Sequence, residues 1–189
     1  MAYENYQTKN SLVIVYTGEG KGKTTASLGL MIRALGNENK VAYIQFIKDW
    51  EVSEHKFINK IQDTFGDKLL FYKGGEGFYD AGEHSAQGVS KKQHRDAANK
   101  TYEIAYEAAS NGKYDLVICD EINNAAHDGL LSQSQLKKLI NDKKDMTSLC
   151  LTGRNFPKKL LSTVDIATDM TKLKHHFDKK FLANEGIDY

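Results

Sequence analysis

The feature that most constrains this chain is a glycine-rich turn between an apolar run and an amphipathic stretch. The run at 12–16, Leu-Val-Ile-Val-Tyr, is typical of a strand buried on both faces. The stretch at 23–35 has the apolar spacing of a helix, and Gly36 is its predicted end. A strand, a glycine-rich turn and a helix in this order indicate a loop that cradles phosphate groups.

The turn itself supplies the groups that a polyphosphate requires. It consists of Gly18, Glu19, Gly20, Lys21, Gly22, Lys23, Thr24 and Thr25. Glycines let backbone N–H groups point inward, and the start of the following helix adds unpaired donors and partial positive charge. The Lys23 ammonium would meet the terminal phosphates of ATP, and the Thr24 hydroxyl would offer an oxygen to Mg²⁺. The general pattern has glycine where this chain has Thr17, and Lys21 adds a second positive charge.

Two acids form the predicted second half of this site. An apolar strand at 116–119 ends in Asp120 and Glu121. In phosphate-loop proteins an acid at this place holds Mg²⁺ beside the loop. The sequence leaves open which of the two acids is the direct ligand. Asn123 and Asn124 follow, and they could contact substrate or simply form a turn.

Strand and helix patterns alternate along the rest of the chain. Further strands are predicted at 41–47, 69–72, 148–151 and 164–170. Further helices are predicted at 53–65 with Ser53 as its cap, at 90–111, from Ser132 or Ser134 through 140, and at 156–161. This alternation predicts an α/β fold with a mostly parallel six-stranded sheet, helices on both faces, and ligands at the carboxyl ends of the strands. One domain is expected over 1–189, with 1–11 as a flexible segment.

Composition excludes several classes of partner. The 26 basic and 25 acidic residues leave a net charge of +1, which gives no case for nucleic acid or an acidic membrane. No apolar run approaches the ~20 residues of a membrane span, and no signal peptide is evident, so a cytoplasmic protein is expected. Cys119 and Cys150 lie in apolar stretches and are expected to be buried free thiols.

Several further motifs occur in a fixed order along the chain. They are 17–25, Arg33-Ala34-Leu35-Gly36, Gln45-Phe46-Ile47-Lys48, Gly75-Glu76-Gly77-Phe78, Asp120-Glu121, Thr152-Gly153-Arg154, Lys174-His175 and the ending Gly186-Ile187-Asp188-Tyr189. Together they resemble the ATP:corrinoid (cob(I)alamin) adenosyltransferase family over about 12–189. The resemblance implies a RecA-like P-loop domain. It also implies that the 5′-deoxyadenosyl group of ATP moves to the Co(I) of a corrinoid, either cobalamin or cobyrinic acid diamide, while triphosphate leaves intact.

The resemblance also implies roles for the loop and for the two acids. Gly18–Thr25 would bind the triphosphate, and Lys23 would stabilise its charge as it leaves. Thr24 and Glu121 would coordinate Mg²⁺, with Asp120 in support. Because cobalt supplies the attacking electron pair, the family needs no protein nucleophile.

The corrinoid side of the site is where this sequence departs from the family. By resemblance, Phe78 would lie against the corrin, displace the lower axial ligand and make the cobalt easier to reduce. Family members have a tryptophan two residues beyond that phenylalanine, whereas this chain has Asp80 there and Tyr79 beside it. Tyr79 could serve as the second aromatic or could be a loop surface residue.

The roles of two arginines, the partners of the protein and two alternative functions are further expectations from the sequence. Arg33 and Arg154 are candidates for phosphate or nucleotide contacts, or for structural ion pairs. The family suggests a homodimer and a flavoprotein reductant. A RecA-like ATPase or small kinase is the alternative that the loop and the acids alone would support. The missing tryptophan motivates another alternative, a non-catalytic protein that binds ATP or a corrinoid.

Overall fold

Regular elements follow one another through the part of the chain that this computed structural model describes, residues 5–77, 79, 86 and 88–189. The strands are β1 (Val13–Thr17), β2 (Val41–Gln45), β3 (Leu69–Lys73), β4 (Leu116–Asp120), β5 (Ser148–Thr152) and β6 (Ile166–Asp169). The α-helices are α1 (Lys23–Gly36), α2 (Ser53–Phe65), α3 (Lys91–Ser110), α4 (Ile122–His127) and α5 (Gln133–Asp142). Short 3₁₀ turns occupy Gly66–Lys68, Lys158–Thr163 and His176–Lys179.

The six strands form one sheet in the order β3-β2-β4-β5-β1-β6, and every pairing between them is parallel. Parallel neighbours require crossovers, which the intervening helices and loops supply. The carboxyl ends of β1 and β4 therefore lie at the same edge, with the end of β5 between them. This architecture confirms the predicted α/β fold and is consistent with a RecA-like P-loop domain.

Each face of the sheet carries its own apolar cluster. On one face, Met31 and Leu35 of α1 and Ile58 of α2 pack against Tyr43 and Ile118 of the central strands. On the other face, α3, α4 and α5 cover the alternate residues of the same strands. Both faces of the central strands are thus buried, which explains their continuous apolar runs.

Helix starts show which sequence signals were sufficient. Ser90 and Ser132 cap α3 and α5, because their hydroxyls accept the N–H of Gln93 and Gln135. This settles the choice between Ser132 and Ser134. Ser53, in contrast, is the first helical residue of α2, and the cap position belongs to Val52.

Several sequence-based expectations differ from the structure in detail. The helix predicted at 156–161 is the 3₁₀ turn Lys158–Thr163, and α4 was not predicted. Cys119 and Cys150 are buried free thiols on neighbouring strands, as expected. In the described part of the chain, every helix is too short or too polar to span a lipid bilayer.

Candidate active site at the carboxyl edge of the sheet

The phosphate loop connects the end of β1 with the start of α1. Gly18 and Gly22 have φ values of 100° and 110°, a conformation that favours glycine. A Cβ atom on Gly18 would lie 2.7 Å from the Met170 carbonyl oxygen, so the loop also packs too closely for a side chain there. Gly22 is the N-cap of α1, and no side chain in the described part of the chain caps that helix. The first N–H groups of α1 therefore face the loop as donors for an anion.

Lys23 is folded back over the loop that precedes it. Its ammonium donates hydrogen bonds to the carbonyl oxygens of Gly18 and Gly20 at 2.8 and 2.7 Å. The residue is only 9% exposed. Burial lowers the pKa of Lys23, while the nearby Glu121 carboxyl opposes that shift. A cation in so dry a position acts strongly on any charge beside it.

Lys21 points to a different part of the molecule. Its ammonium lies 2.9 Å from Oδ1 of Asp188, and it also donates to the Asp188 carbonyl oxygen at 3.2 Å. The N–H of Asn184 donates to the other oxygen of the same carboxylate at 2.8 Å. This hydrogen bond and the Lys21 ammonium together lower the pKa of Asp188 to about 2. The C-terminal segment is thus tied to the phosphate loop through Lys21.

Asp120, the last residue of β4, is the centre of the hydrogen-bonding network beside the loop. Its Oδ1 accepts the hydroxyl of Thr152, the last residue of β5, at 2.7 Å. Its Oδ2 accepts the amide of Gln45 at 3.0 Å and the hydroxyl of Thr24 at 3.3 Å. Asp120 is fully buried, so it depends on these donors for its solvation.

Glu121 follows Asp120 with a φ of 64°, a left-handed conformation that is uncommon for a glutamate. Its N–H donates to the Thr152 hydroxyl at 3.0 Å. Its side-chain oxygen Oε2 is shielded from solvent and has no hydrogen-bond partner among the described residues. Burial, and then the charge of Asp120, raise the pKa of Glu121 to about 7. An unpaired carboxylate oxygen beside a phosphate loop is a ready ligand for a cation.

The chain matches the sequence model of one protein family over residues 9–189, and the description of that family is ATP:corrinoid adenosyltransferase BtuR/CobO/CobP. The chain belongs to this family. Membership makes it a transferase that acts on ATP and a corrinoid. The alternatives of an ATPase or small kinase, or of a non-catalytic binding protein, are not favoured.

Individual relatives agree with this family assignment. A corrinoid adenosyltransferase of Sinorhizobium sp. is 33% identical over 183 residues, which cover 96% of this chain and 81% of that protein. The corrinoid adenosyltransferase of Escherichia coli (strain K12) is 28% identical over 184 residues, covering 97% of this chain and 88% of that protein. That of Pseudomonas aeruginosa is 26% identical over 182 residues, covering 96% and 85% respectively.

The two arginines of the family motifs occupy different places. Arg154 follows β5, and its guanidinium forms an ion pair of 3.0 Å with Glu19 of the loop. Arg33 lies in the last turn of α1 and is exposed. At about 1.5 Å per residue it is roughly 15 Å along the helix axis from Lys23. The structure therefore brings Arg154 to the loop and leaves Arg33 at the far end of α1. Thr25, in the first turn of α1, is exposed.

The predicted corrinoid side of the family site lies largely outside the described residues. Phe78 and Asp80 are both outside them. Tyr79 is described, and its ring meets the edge of His94 at a centroid distance of 5.5 Å. The Lys91 ammonium lies 5.0 Å from the same ring. Tyr79 is therefore half-buried against α3 and is not a free surface residue.

Sequence reasoning missed several side chains that complete the site. Gln45 was noted only as part of a family motif, and it donates directly to Asp120. Thr152 links Asp120 to Glu121 from the neighbouring strand. Lys48 forms a largely shielded ion pair of 2.6 Å with Glu54 of α2. Burial acts to lower the pKa of Lys48, but the Asp120 and Glu54 carboxylates outweigh it and raise that pKa. The one available signal was the place of these residues in the family motifs at 45–48 and 152–154.

Proposed function

We propose that Gly18–Thr25 holds the triphosphate of ATP while the 5′-deoxyadenosyl group moves to the Co(I) of a corrinoid, and that triphosphate leaves as one piece. The observation that carries the proposal is the convergence of the Lys23 ammonium, the uncapped start of α1 and the Asp120–Glu121 strand end. These groups stabilise negative charge as it develops on the departing chain of phosphates. The cobalt of the substrate supplies the electron pair, so the new Co–C bond replaces the C–O bond to the phosphate.

Mg²⁺ is proposed as the partner of the triphosphate. The residues suit it, because Mg²⁺ prefers oxygen ligands and combines one or two carboxylates with substrate phosphates. The unpartnered Oε2 of Glu121 supports a direct contact, and Thr24 would add its hydroxyl. Asp120 already accepts three hydrogen bonds, which favours a supporting role for it. When bound, Mg²⁺ supplies positive charge to the phosphate oxygens.

The remaining roles follow from position and from family membership. Arg154, beside Glu19, is proposed to contact phosphate from the β5 side. Phe78 is proposed to form an apolar wall against the corrin, where it would withhold a lower ligand from cobalt. A homodimer and a flavoprotein that reduces the cobalt are proposed as partners.

The decisive experiment combines the protein with ATP, Mg²⁺ and chemically reduced cobalamin. The expected products are a light-sensitive alkylcobalamin, followed by its absorption spectrum, and inorganic triphosphate, resolved by ion-exchange chromatography. Repeating the assay with cobyrinic acid diamide would identify the preferred corrinoid. If orthophosphate appeared instead, and no corrinoid were alkylated, the proposal would be wrong.

A further inference from the structure

A buried series of hydrogen bonds reaches Asp120 from α2 through the neighbouring strand β2. The ring Nε2 of His55 pairs with Oε1 of Gln45, and the Gln45 amide donates to Asp120. His55 is 3% exposed, while Gln45 and Asp120 are fully buried. Because water is excluded, each polar group in the chain depends on its neighbour for a hydrogen bond.

The hydrogen bond at Val52 fixes which atom donates in each later bond of the series. The N–H of Val52 donates to Nδ1 of His55 at 3.3 Å, so Nδ1 is an acceptor and the ring proton is on Nε2. Nε2 then donates to the Gln45 oxygen, which turns the amide N–H group toward Asp120. Burial lowers the pKa of His55, which favours the neutral ring that this pattern requires.

His55 is also held in place by its surroundings. Its ring packs against Phe71 of β3 at a centroid distance of 5.5 Å. The preceding residue, Glu54, is fixed by the shielded ion pair with Lys48. The first turn of α2 is therefore anchored on the sheet by a ring contact and an ion pair.

Asp120 is connected by hydrogen bonds to both proposed metal ligands. One of its oxygens accepts the Thr24 hydroxyl, and the other accepts the Thr152 hydroxyl. The Thr152 oxygen in turn accepts the N–H of Glu121. A rotation of the Asp120 carboxylate would therefore disturb Thr24 on the loop and Glu121 on the strand end together.

We propose that His55 and Gln45 are positioning residues, which hold Asp120 in the orientation that aligns Thr24 and Glu121 for the divalent cation. This inference rests on the proposed function of the same site. His55 and Gln45 act through Asp120 and not by contact with the reacting atoms. Residues that hydrogen-bond directly to a metal ligand typically contribute roughly 10–100-fold to metal affinity, and Gln45 and His55, which act through Asp120, are expected at the lower end of that range.

The test measures metal binding without turnover. Mn²⁺ replaces Mg²⁺ as an electron paramagnetic resonance probe and is titrated into protein and ATP with no corrinoid present. Gln45→Met removes both amide groups at nearly constant volume, and His55→Leu removes the first donor. Each is expected to weaken Mn²⁺ binding by roughly tenfold. His55→Gln keeps an N–H near the position of Nε2 and is expected to recover most of the loss.

A double substitution tests whether the two residues act along one route. Gln45→Met combined with His55→Leu is expected to bind Mn²⁺ no more weakly than Gln45→Met alone, because removal of the amide already breaks the chain. Additive losses would mean that His55 acts independently of Gln45, which would overturn the proposed route.

Two control variants distinguish the positioning role from the proposed metal site and from a general loss of stability. Glu121→Gln alters a proposed direct ligand and is expected to abolish tight Mn²⁺ binding. Ile58→Ala truncates a fully buried apolar residue of the same helix, and it should lower thermal stability without changing Mn²⁺ affinity.

If Glu121→Gln bound Mn²⁺ normally, the proposed metal site itself would be wrong. If Glu121→Gln lost Mn²⁺ binding while Gln45→Met bound Mn²⁺ as tightly as the wild type, the metal site would stand and the proposed positioning role would be wrong. If Ile58→Ala weakened binding as much as Gln45→Met, the effect would be general destabilisation, which also overturns the inference.

Discussion

Lys21 and Lys23 lie two residues apart in the same loop but have opposite environments. Lys23 is 9% exposed and donates to the carbonyl oxygens of its own loop. Lys21 has a side chain that is 42% exposed and is paired with Asp188 near the C-terminus. Both residues carry the same formal charge, and from the sequence both were expected to meet the triphosphate.

The difference shows that burial decides which of two equal charges acts more strongly on a charged ligand. Coulomb interactions in a shielded site are several times stronger than those at a solvated surface. Carbonyl dipoles hold Lys23 in position without neutralising it, whereas a carboxylate already balances Lys21. We therefore expect Lys23 to dominate the stabilisation of the leaving group, and Lys21 to contribute mainly by fastening the C-terminal segment to the loop.

The largest expected effect is that of Lys23→Met. This change removes the shielded charge while retaining length, and kcat should fall roughly 10²–10³-fold, as for loss of one preorganised donor to a developing charge. Steady-state assays with reduced cobalamin measure it, and circular dichroism checks that the fold is retained. A variant with kcat close to that of the wild type would end the proposed role of Lys23.

Lys21→Met, the matched change, is expected to do far less. Because the pair with Asp188 is partly exposed, its loss should raise the KM for ATP by no more than about fivefold and leave kcat nearly unchanged. Asp188→Asn should have a similar effect, and the double variant should be no worse than either single one. A fall in kcat equal to that of Lys23→Met would show that burial does not rank the two lysines.

The contrast between the lysines also shows how far the sequence could predict the fold. The strand at 12–16, the turn and α1 follow from local patterns of residues, and so do the buried strands. The placement of β5 between β1 and β4 does not, because parallel pairings join segments that are distant along the chain. Thr152 therefore meets Asp120 for a reason that no short motif contains.

The candidate site divides in the same way. Lys23, Asp120 and Glu121 were found because each stands at a fixed offset from a strand. The contact between Gln45 and His55 joins β2 to the start of α2, and their spacing along the chain encodes no such pair. Arg33 was a reasonable candidate by motif, yet ten further residues of α1 carry it away from the loop.

Acid should weaken the Lys21 side of the loop in a defined pH range. The pKa of Asp188 is lowered to about 2, below the ~3.9 of an unfolded aspartate. Its contribution to stability is therefore fully present above about pH 4 and is lost as the pH falls toward 2. The urea midpoint of Asp188→Asn should lie below that of the wild type at pH 6, and the gap should narrow at pH 3. A constant gap would mean that the Asp188 charge is not what stabilises the segment.

The smallest effects are expected at the third cation beside the loop, Arg154, which resembles Lys21 in being exposed and paired. The side chains of Arg154 and Glu19 are 55% and 59% exposed, so Glu19→Gln should change the free energy of unfolding by less than about 1 kcal/mol.

The two partners should nevertheless differ in function. Arg154→Met removes a cation that is proposed to contact phosphate and should raise the KM for ATP by up to about fivefold, whereas Glu19→Gln removes a competing anion and should not raise it. Equal, unchanged KM values for both variants would leave Arg154 as a structural ion pair only. Burial would then separate the cations of this site completely, with Lys23 alone acting on the nucleotide.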